Sequence, residues 1–441
     1  MNNAISLPRR AFDRVSRSRF ARNVAVVASG TAAAQAITMA FAPLITRIYG
    51  PEAFGLLGTF MAIVAVAVPV AALAYPIAIV LPREDRDALG LVRLSVILSF
   101  AVALLAAAAL WAGGDWLTAT LGAEAVAGFL FLIPVAMLFA AWMQIAQQWL
   151  IRKKEFGVVA RSAVAHSLIL NSANSGIGWL HPVGAVLIVL ATLGQALHAG
   201  LLFIGARRRY QGSIAEREEG SQTPLKELAH RHRDFPLYRA PQNFINAASQ
   251  SLPLLMLAAF FGPAAAGFYT LAKMVMAMPT TLIGKAVGDV FYPRITEASH
   301  RGEHLTRLIL KATLVLAGIG LLPFAAVIAF GPWLFGLVFG ADWVHAGEYA
   351  RWLSLWLYFM FLNRPAIMAL PVLQAQRFHL IFTVFTITVR ALVLMIGYYL
   401  FNSDLVAVAL FGISGALLNV ALVAIVVFLA HRYDQENSER M

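Results

Sequence analysis

Residues 94–112 read LSVILSFAVALLAAAALWA, nineteen consecutive positions without a charged side chain. A helix needs about 20 apolar residues to cross the hydrocarbon core of a bilayer. Comparable runs recur along the whole chain of 441 residues, of which 60% are hydrophobic and 13% charged, whereas soluble domains have about 25% charged residues. The sequence therefore excludes a soluble globular enzyme. Because the apolar runs are unbroken rather than alternating, they also exclude an outer-membrane barrel.

The fold class predicted from these runs is all-α, a polytopic membrane protein with about 12 transmembrane helices. The spans are predicted near residues 23–46, 53–80, 88–112, 124–151, 156–179, 183–206, 240–261, 264–291, 305–329, 348–371, 377–401 and 404–430. Loops on one side carry Lys and Arg, whereas the opposite loops, around 113–123, 179–183, 262–264, 330–347 and 402–404, contain neither. By the positive-inside rule, both termini are predicted to be cytoplasmic.

The same pattern divides the chain into five segments. Residues 1–22 form a basic cytoplasmic segment that lacks the short apolar core of a cleaved signal peptide. Residues 23–206 and 240–430 form two six-helix bundles, connected by a cytoplasmic loop at 207–239 and followed by a tail at 431–441. Within the loop, PLKELAHRHRDF at 224–235 could form an amphipathic helix on the membrane. A simple connecting linker between the two bundles would explain the position of this segment equally well.

The two bundles contain matching motifs in the same order. Gly50-Pro51 with Gly55 recurs as Gly262-Pro263 with Gly267, and Trp116-Leu117 recurs as Trp333-Leu334. An even number of spans per half gives both halves the same orientation, so the repeat is predicted to be parallel. Secondary transporters use such repeats to rock two bundles around a central site.

A longer segment resembles a known family. Residues 231–294 contain Phe235-Pro236 with Tyr238, then Leu252-Pro253, and then Phe261-Gly262-Pro263 followed by Gly267-Phe268-Tyr269. This ordered set, together with PLITRIYGPEAFGLLGTF at 43–60, is similar to bacterial polysaccharide-biosynthesis flippases, which belong to the multidrug/oligosaccharidyl-lipid/polysaccharide exporter superfamily. The resemblance implies a V-shaped transporter that moves lipid-linked sugar intermediates, such as O-antigen, exopolysaccharide or capsule units, across the inner membrane by alternating access.

Cationic side chains lie inside the predicted spans. Insertion of a charge at the bilayer centre costs roughly 2.5–3.5 kcal/mol, so such residues usually face a cavity or a partner. Lys273 lies about 13 Å from the predicted start of its span at ~1.5 Å per residue. Arg390, Arg364 beside Pro365, and Arg47 are the further candidates for a cationic cavity, although a packing contact with a backbone carbonyl explains Arg390 equally well. The comparable acid, Asp289, lies close to the cytoplasmic end.

Other polar residues in the spans form a second set of candidates. His166 and His198 are intramembrane histidines that fit either a satisfied core residue or a proton carrier. Asn243, Asn246 and Gln250 follow one stripe of the seventh span, where they could bind sugar hydroxyls or hydrogen-bond a neighbouring helix.

The absent motifs narrow the function further. The sequence has no phosphate-binding loop, HExxH or GxSxG motif and no cysteine, so no cofactor, metal or catalytic residue is expected. A net charge of +12 is attributed to contacts with anionic lipid rather than with nucleic acid.

The main hypothesis is a non-enzymatic flippase for polyprenyl-diphosphate-linked oligosaccharide, driven by an ion gradient or the membrane potential. Its partners would be this anionic lipid, inner-membrane lipids, a glycan polymerase and export machinery. A multidrug exporter of the same superfamily and a membrane glycan polymerase or ligase are the alternatives.

Overall fold

The computed structural model describes the backbone of residues 19–121, 124–210 and 223–440, and it leaves out the side chains of 19–25, 278–290 and several single positions. Twelve helices of at least 19 residues run through these ranges. They are α1 (Arg19–Ile48), α2 (Pro51–Ala71), α3 (Asp85–Leu121), α4 (Leu132–Arg152), α5 (Phe156–Leu180), α6 (Gly184–Tyr210), α7 (Ala240–Phe261), α8 (Pro263–His300), α9 (Leu305–Phe339), α10 (Val344–Leu362), α11 (Gln376–Tyr399) and α12 (Asp404–Arg440). The chain is therefore an all-α, multi-pass membrane protein, as predicted.

Among the described residues, eight helices contain a stretch that is long and apolar enough to cross a membrane by length and composition. Helices α4, α5 and α10 contain no such stretch, and part of α8 lies outside the described side chains. The reason is clearest for α10, which packs against α8, α9 and α12. A helix surrounded by other helices does not need an apolar surface on every side. In contrast, side chains such as Trp111 and Leu322 on α3 and α9 are 91% and 80% exposed, as expected for surfaces that face lipid.

Some helix ends differ from the predicted spans. Helix α9 continues to Phe339, through most of the loop predicted at 330–347. In this stretch Gly331 lies against the backbone of Gly347 in α10, so α9 and α10 pack closely here. Helix α10 ends at Leu362, and a short helix, Arg364–Ala369, follows it. This interruption coincides with Pro365, whose ring is incompatible with the preceding helical hydrogen bonds.

The chain forms two compact units. The first contains residues 1–48 and 60–251, and the second contains residues 49–59 and 252–441. In the first unit α1 packs on α5, α3 on α4, α4 on α6, and α5 on α6. The second unit contains corresponding pairs six helices later: α9 packs on α10, α10 on α12, and α11 on α12. The stacked rings of Phe260 and Tyr398, 4.6 Å apart, provide the equivalent α7–α11 contact.

The two copies of the Gly-Pro motif contact each other within the second unit. Gly55 in α2 lies against the backbone of Pro263, and Gly267 in α8 lies against the backbone of Pro51. Each helix begins directly after a glycine with positive φ, +52° at Gly50 and +85° at Gly262, a conformation that residues with a Cβ rarely adopt. The motif therefore starts two helices and lets them approach closely.

The segment 224–235 contains a short helix, Leu225–Arg231, which we call the linker helix. Its side chain Leu228 is 1% exposed and packs in a cluster with Leu91, Ile79 and Ile145 of the first unit. Arg231 forms an ion pair with Asp87 at 3.0 Å. The apolar side of the linker helix thus faces protein.

Candidate functional site

Lys273 lies in the middle part of α8. It is ten residues after Pro263, which corresponds to about 15 Å along the helix axis. Its Nζ atom lies 5.7 Å from the ring centroid of Tyr269, one turn earlier on the same helix. The Tyr269 side chain is 1% exposed, so the ammonium group lies over a buried aromatic face, which attracts a cation.

Arg390 of α11 is held between two aromatic rings. Its guanidinium carbon lies 4.9 Å from the ring centroid of Trp356 in α10 and 5.6 Å from that of Phe411 in α12. Trp356 and Phe411 themselves make an edge-to-face contact at 5.0 Å. Arg390 also acts electrostatically on both Tyr269 and Lys273. These five residues, Tyr269, Lys273, Trp356, Arg390 and Phe411, form what we call the cationic cluster.

Several polar atoms of the cationic cluster are buried and have no hydrogen-bond partner among the residues that the structure describes. They are the hydroxyl of Tyr269, Nε1 of Trp356 and Nε of Arg390. A buried donor without an acceptor costs roughly 1–3 kcal/mol, and more when it is charged. All three groups can donate, and Lys273 adds an ammonium group with three donors. The cluster therefore offers donors and positive charge, a combination that suits a ligand with anionic oxygens.

The other two predicted cations lie elsewhere. Arg364 begins the short helix after α10 and is half-buried, and it makes no hydrogen bond or ion pair with any side chain that the structure describes. Arg47 is exposed in the last turn of α1, which belongs to the first unit. The carboxylate of Asp289 is outside the described side chains. The structure thus brings together Lys273 and Arg390 out of the four predicted residues.

The two histidines predicted as separate residues lie side by side in the first unit. The rings of His166 in α5 and His198 in α6 stack with their centroids 4.7 Å apart and their planes 12° from parallel. Nearby, Thr38, Ser167 and Asn171 connect α1 to α5 through hydrogen bonds, including a 2.9 Å contact between the two hydroxyls. These polar residues thus connect α5 to α1 and α6 within the first unit.

The predicted polar stripe of α7 lies largely on its exposed side. Asn246 and Gln250 are exposed and Asn243 is half-buried. This placement leaves two of the three amides accessible to a solute. Within the described parts of the chain, no three His, Asp or Glu side chains are grouped as metal ligands.

Sequence reasoning missed the aromatic members of the cationic cluster. Tyr269 and Lys273 are four residues apart on one helix, a spacing that places them on the same face. That signal could have identified Tyr269. Trp356 and Phe411 come from other helices, and nothing in the sequence pairs them with Arg390.

Comparison with known proteins agrees with this architecture. Residues 44–348, more than half of the chain, match the model of the family described as "Polysaccharide biosynthesis protein". The succinoglycan biosynthesis transport protein ExoT of Rhizobium meliloti is 23% identical over 316 residues, which cover 69% of this chain and 59% of that protein. The chain thus matches less than two thirds of the length of this relative.

Solved structures show the same fold at low identity. An inward-facing multidrug resistance MATE family transporter of the MOP superfamily matches with a TM-score of 0.68 at 14% identity, over 92% of this chain and 96% of that one. An outward-facing one matches with a TM-score of 0.60 at 15% identity, over 97% and 99%. A MOP superfamily transporter from Pyrococcus furiosus, described by a "reverse polarity of binding pocket", matches with a TM-score of 0.56 at 15% identity, over 94% and 96%.

Taken with the arrangement of the twelve helices, these matches show that the chain is an all-α, multi-pass membrane protein with the fold seen in MOP superfamily transporters, and that it belongs to the polysaccharide biosynthesis protein family.

Proposed function

We propose that this protein is a flippase that moves polyprenyl-diphosphate-linked oligosaccharide from the cytoplasmic to the periplasmic leaflet of the bacterial inner membrane. The observation that supports this proposal is the cationic cluster. It combines the charges of Lys273 and Arg390 with three buried donors that have no acceptor within the described part of the chain. A diphosphate supplies negative charge and several acceptor oxygens in one group.

The chemistry of the substrate explains why such a cluster would be needed. The diphosphate must pass about 30 Å of hydrocarbon, where an unshielded charge is strongly disfavoured. Donors arranged near the middle of the second unit replace the water that the diphosphate loses. The aromatic faces of Tyr269, Trp356 and Phe411 attract these two half-buried cations. Binding remains reversible because it is divided among several moderate contacts.

The sign of the charge separates this function from the alternatives. An exporter of cationic drugs needs a carboxylate at its binding site, whereas Arg390 has no ion pair with the described residues and two cations lie together in the cluster. A glycan polymerase or ligase is expected to carry acidic catalytic residues on larger extramembrane loops. The loops between the twelve helices are short apart from residues 211–239.

The test is substitution of the cluster in a strain that lacks the chromosomal gene. Lys273→Ala and Arg390→Ala should each reduce glycan export at least about tenfold, because a hydrogen bond to a charged group contributes roughly 1.5–3 kcal/mol. Lys273→Arg and Arg390→Lys should retain more activity, since they keep the charge. Lipid-linked intermediates measured in each leaflet should accumulate on the cytoplasmic side in the alanine variants.

Matched controls are available in the same unit. Lys311 and Arg307 in α9 are exposed basic residues outside the cluster, so Lys311→Ala and Arg307→Ala should export normally. Immunoblots of the membrane fraction separate a loss of binding from a loss of protein. Normal export by a Lys273→Ala/Arg390→Ala double variant at normal protein level would contradict the proposed binding site.

A further inference from the structure

The stacked histidines His166 and His198 are half-buried titratable groups that diphosphate binding does not use. The rings touch across the α5–α6 contact with centroids 4.7 Å apart. His166 is ten residues after the start of α5, which places it about 15 Å along a helix that crosses ~30 Å of hydrocarbon. The pair therefore lies near the middle of the first unit's helices, where ionisable groups usually have a function.

The local packing leaves room for the rings and orients one of them. His166 forms a hydrogen bond with the backbone of Gly194, one turn before His198 on α6. A Cβ atom at Gly194 would lie 3.3 Å from Nε2 of His166 and 3.1 Å from a methyl carbon of Leu170. When one ring nitrogen is engaged by the backbone, the other nitrogen is the one available to accept a proton.

The surrounding helices contain no acidic side chain that could bind and release a proton. Helices α5 and α6 pack against each other and against α1 and α4, and none of these four helices contains Asp or Glu. Their charged groups are arginines, and all except the exposed Arg161 lie near helix ends: Arg19, Arg22, Arg47, Arg152, Arg207, Arg208 and Arg209. The one further titratable side chain in these helices is Tyr210, the last residue of α6. Arginine stays protonated at physiological pH, so proton exchange inside this part of the unit falls to the two histidines.

We propose that His166 and His198 form a proton-binding site that couples transport to the proton gradient. This inference rests on the proposed function and names its coupling ion. Because two imidazolium rings in contact repel each other, the pair holds one proton and not two. The proton enters and leaves as a hydrated ion, and the charge of the α5–α6 contact changes by one each time.

The first test uses purified protein and needs no substrate. Ring ¹⁵N NMR between about pH 5 and pH 8 should show a coupled titration in which the two rings take up one proton together. His166→Gln should change the titration of His198, and the reverse should hold as well. Two independent titrations that ignore the partner's substitution would overturn the proposal.

The second test measures transport in liposomes. The wild type should move protons, detected with a pH-sensitive dye, when it flips diphosphate-linked glycan. His166→Gln and His198→Gln should lose this proton flux while they still flip the lipid down its own concentration gradient. His181→Gln is the matched control, because His181 is exposed between α5 and α6 and should behave as wild type.

The outcomes separate the two proposals. Flipping by the wild type without proton flux would contradict the histidine site and leave the flippase function standing. Proton flux that persists in both histidine variants would also contradict the site. Absence of flipping under every gradient would contradict the proposed function, and the NMR titration would then decide the proton site by itself.

Discussion

At the scale of single residues, the packing at the reciprocal contact of Gly55 and Gly267 leaves no space for an added side chain. Each glycine lies against the backbone at the start of the other helix, so an added side chain would meet carbonyl oxygens and not flexible side chains. Backbone atoms cannot move aside without displacing a whole helix. Since Gly55 and Gly267 occupy equivalent places in the two repeats, the same argument holds for both.

Gly267→Ala should therefore destabilise the protein by roughly 1–3 kcal/mol, the usual cost of overpacking. Thermal unfolding of the detergent-purified protein, followed by circular dichroism, measures the effect. Gly318→Ala in α9 is the control, because a Cβ there meets nothing within 4 Å and alanine favours a helix. Equal melting temperatures for the Gly267 variant and the wild type would contradict the close contact.

At the scale of elements, the linker helix is part of the first unit and not a free connection. Leu228 fills a site beside Gly90, and the hydroxyl of Tyr75 donates to the carbonyl of Ala229 at 3.0 Å. Asp87 accepts hydrogen bonds from Arg231 and Thr223 at 3.0 and 2.8 Å. An apolar anchor with polar contacts around it holds a helix that is too short to be stable alone.

Leu228→Ala should release the linker helix, because removal of a buried leucine side chain costs about 2–5 kcal/mol. Limited proteolysis should then cut residues 223–235 faster than in the wild type, with a smaller effect on the rest of the chain. Lys226→Ala, at an exposed position of the same helix, should leave the cutting rate unchanged. If both variants are cut at the wild-type rate, the docking of the linker helix does not depend on Leu228.

At the scale of the whole molecule, three helix pairs of the first unit have counterparts six helices later in the second unit: α3–α4 and α9–α10, α4–α6 and α10–α12, and α5–α6 and α11–α12. If each of the twelve helices crosses the membrane once, the loops that carry Lys and Arg fall on one side, together with both termini. We propose that this side is the cytoplasm, because basic loops are retained there.

Cysteine labelling tests this topology directly, since the protein has no cysteine of its own. Single cysteines at Asp115, His181 and Asp342 should react with an impermeant maleimide in intact cells whose outer membrane is permeable to it. A cysteine in the 207–239 loop should react only after the inner membrane is opened. Protection of the first three positions in intact cells would contradict the proposed orientation.

Some features of the site residues are visible in the local sequence, and others depend on which helices pack together. The sequence identified Lys273 and Arg390 because a charge inside an apolar run is visible without any knowledge of the fold. It could not select them over Arg364 and Arg47, because that choice depends on which helices pack together. Likewise, His166 and His198 are 32 positions apart, and only the contact of α5 with α6 makes them a pair.

Local sequence features are sufficient to assign the class of the protein: an all-α membrane protein of about twelve helices. Apolar runs, Gly-Pro helix starts and loop charges are local properties. Each depends on one segment of the chain and on whether water or lipid surrounds that segment. The tertiary structure alone decided where α9 ends, where the linker helix docks and which aromatic rings surround Arg390. These features depend on contacts between helices distant in sequence, and no local pattern encodes which residues will meet there.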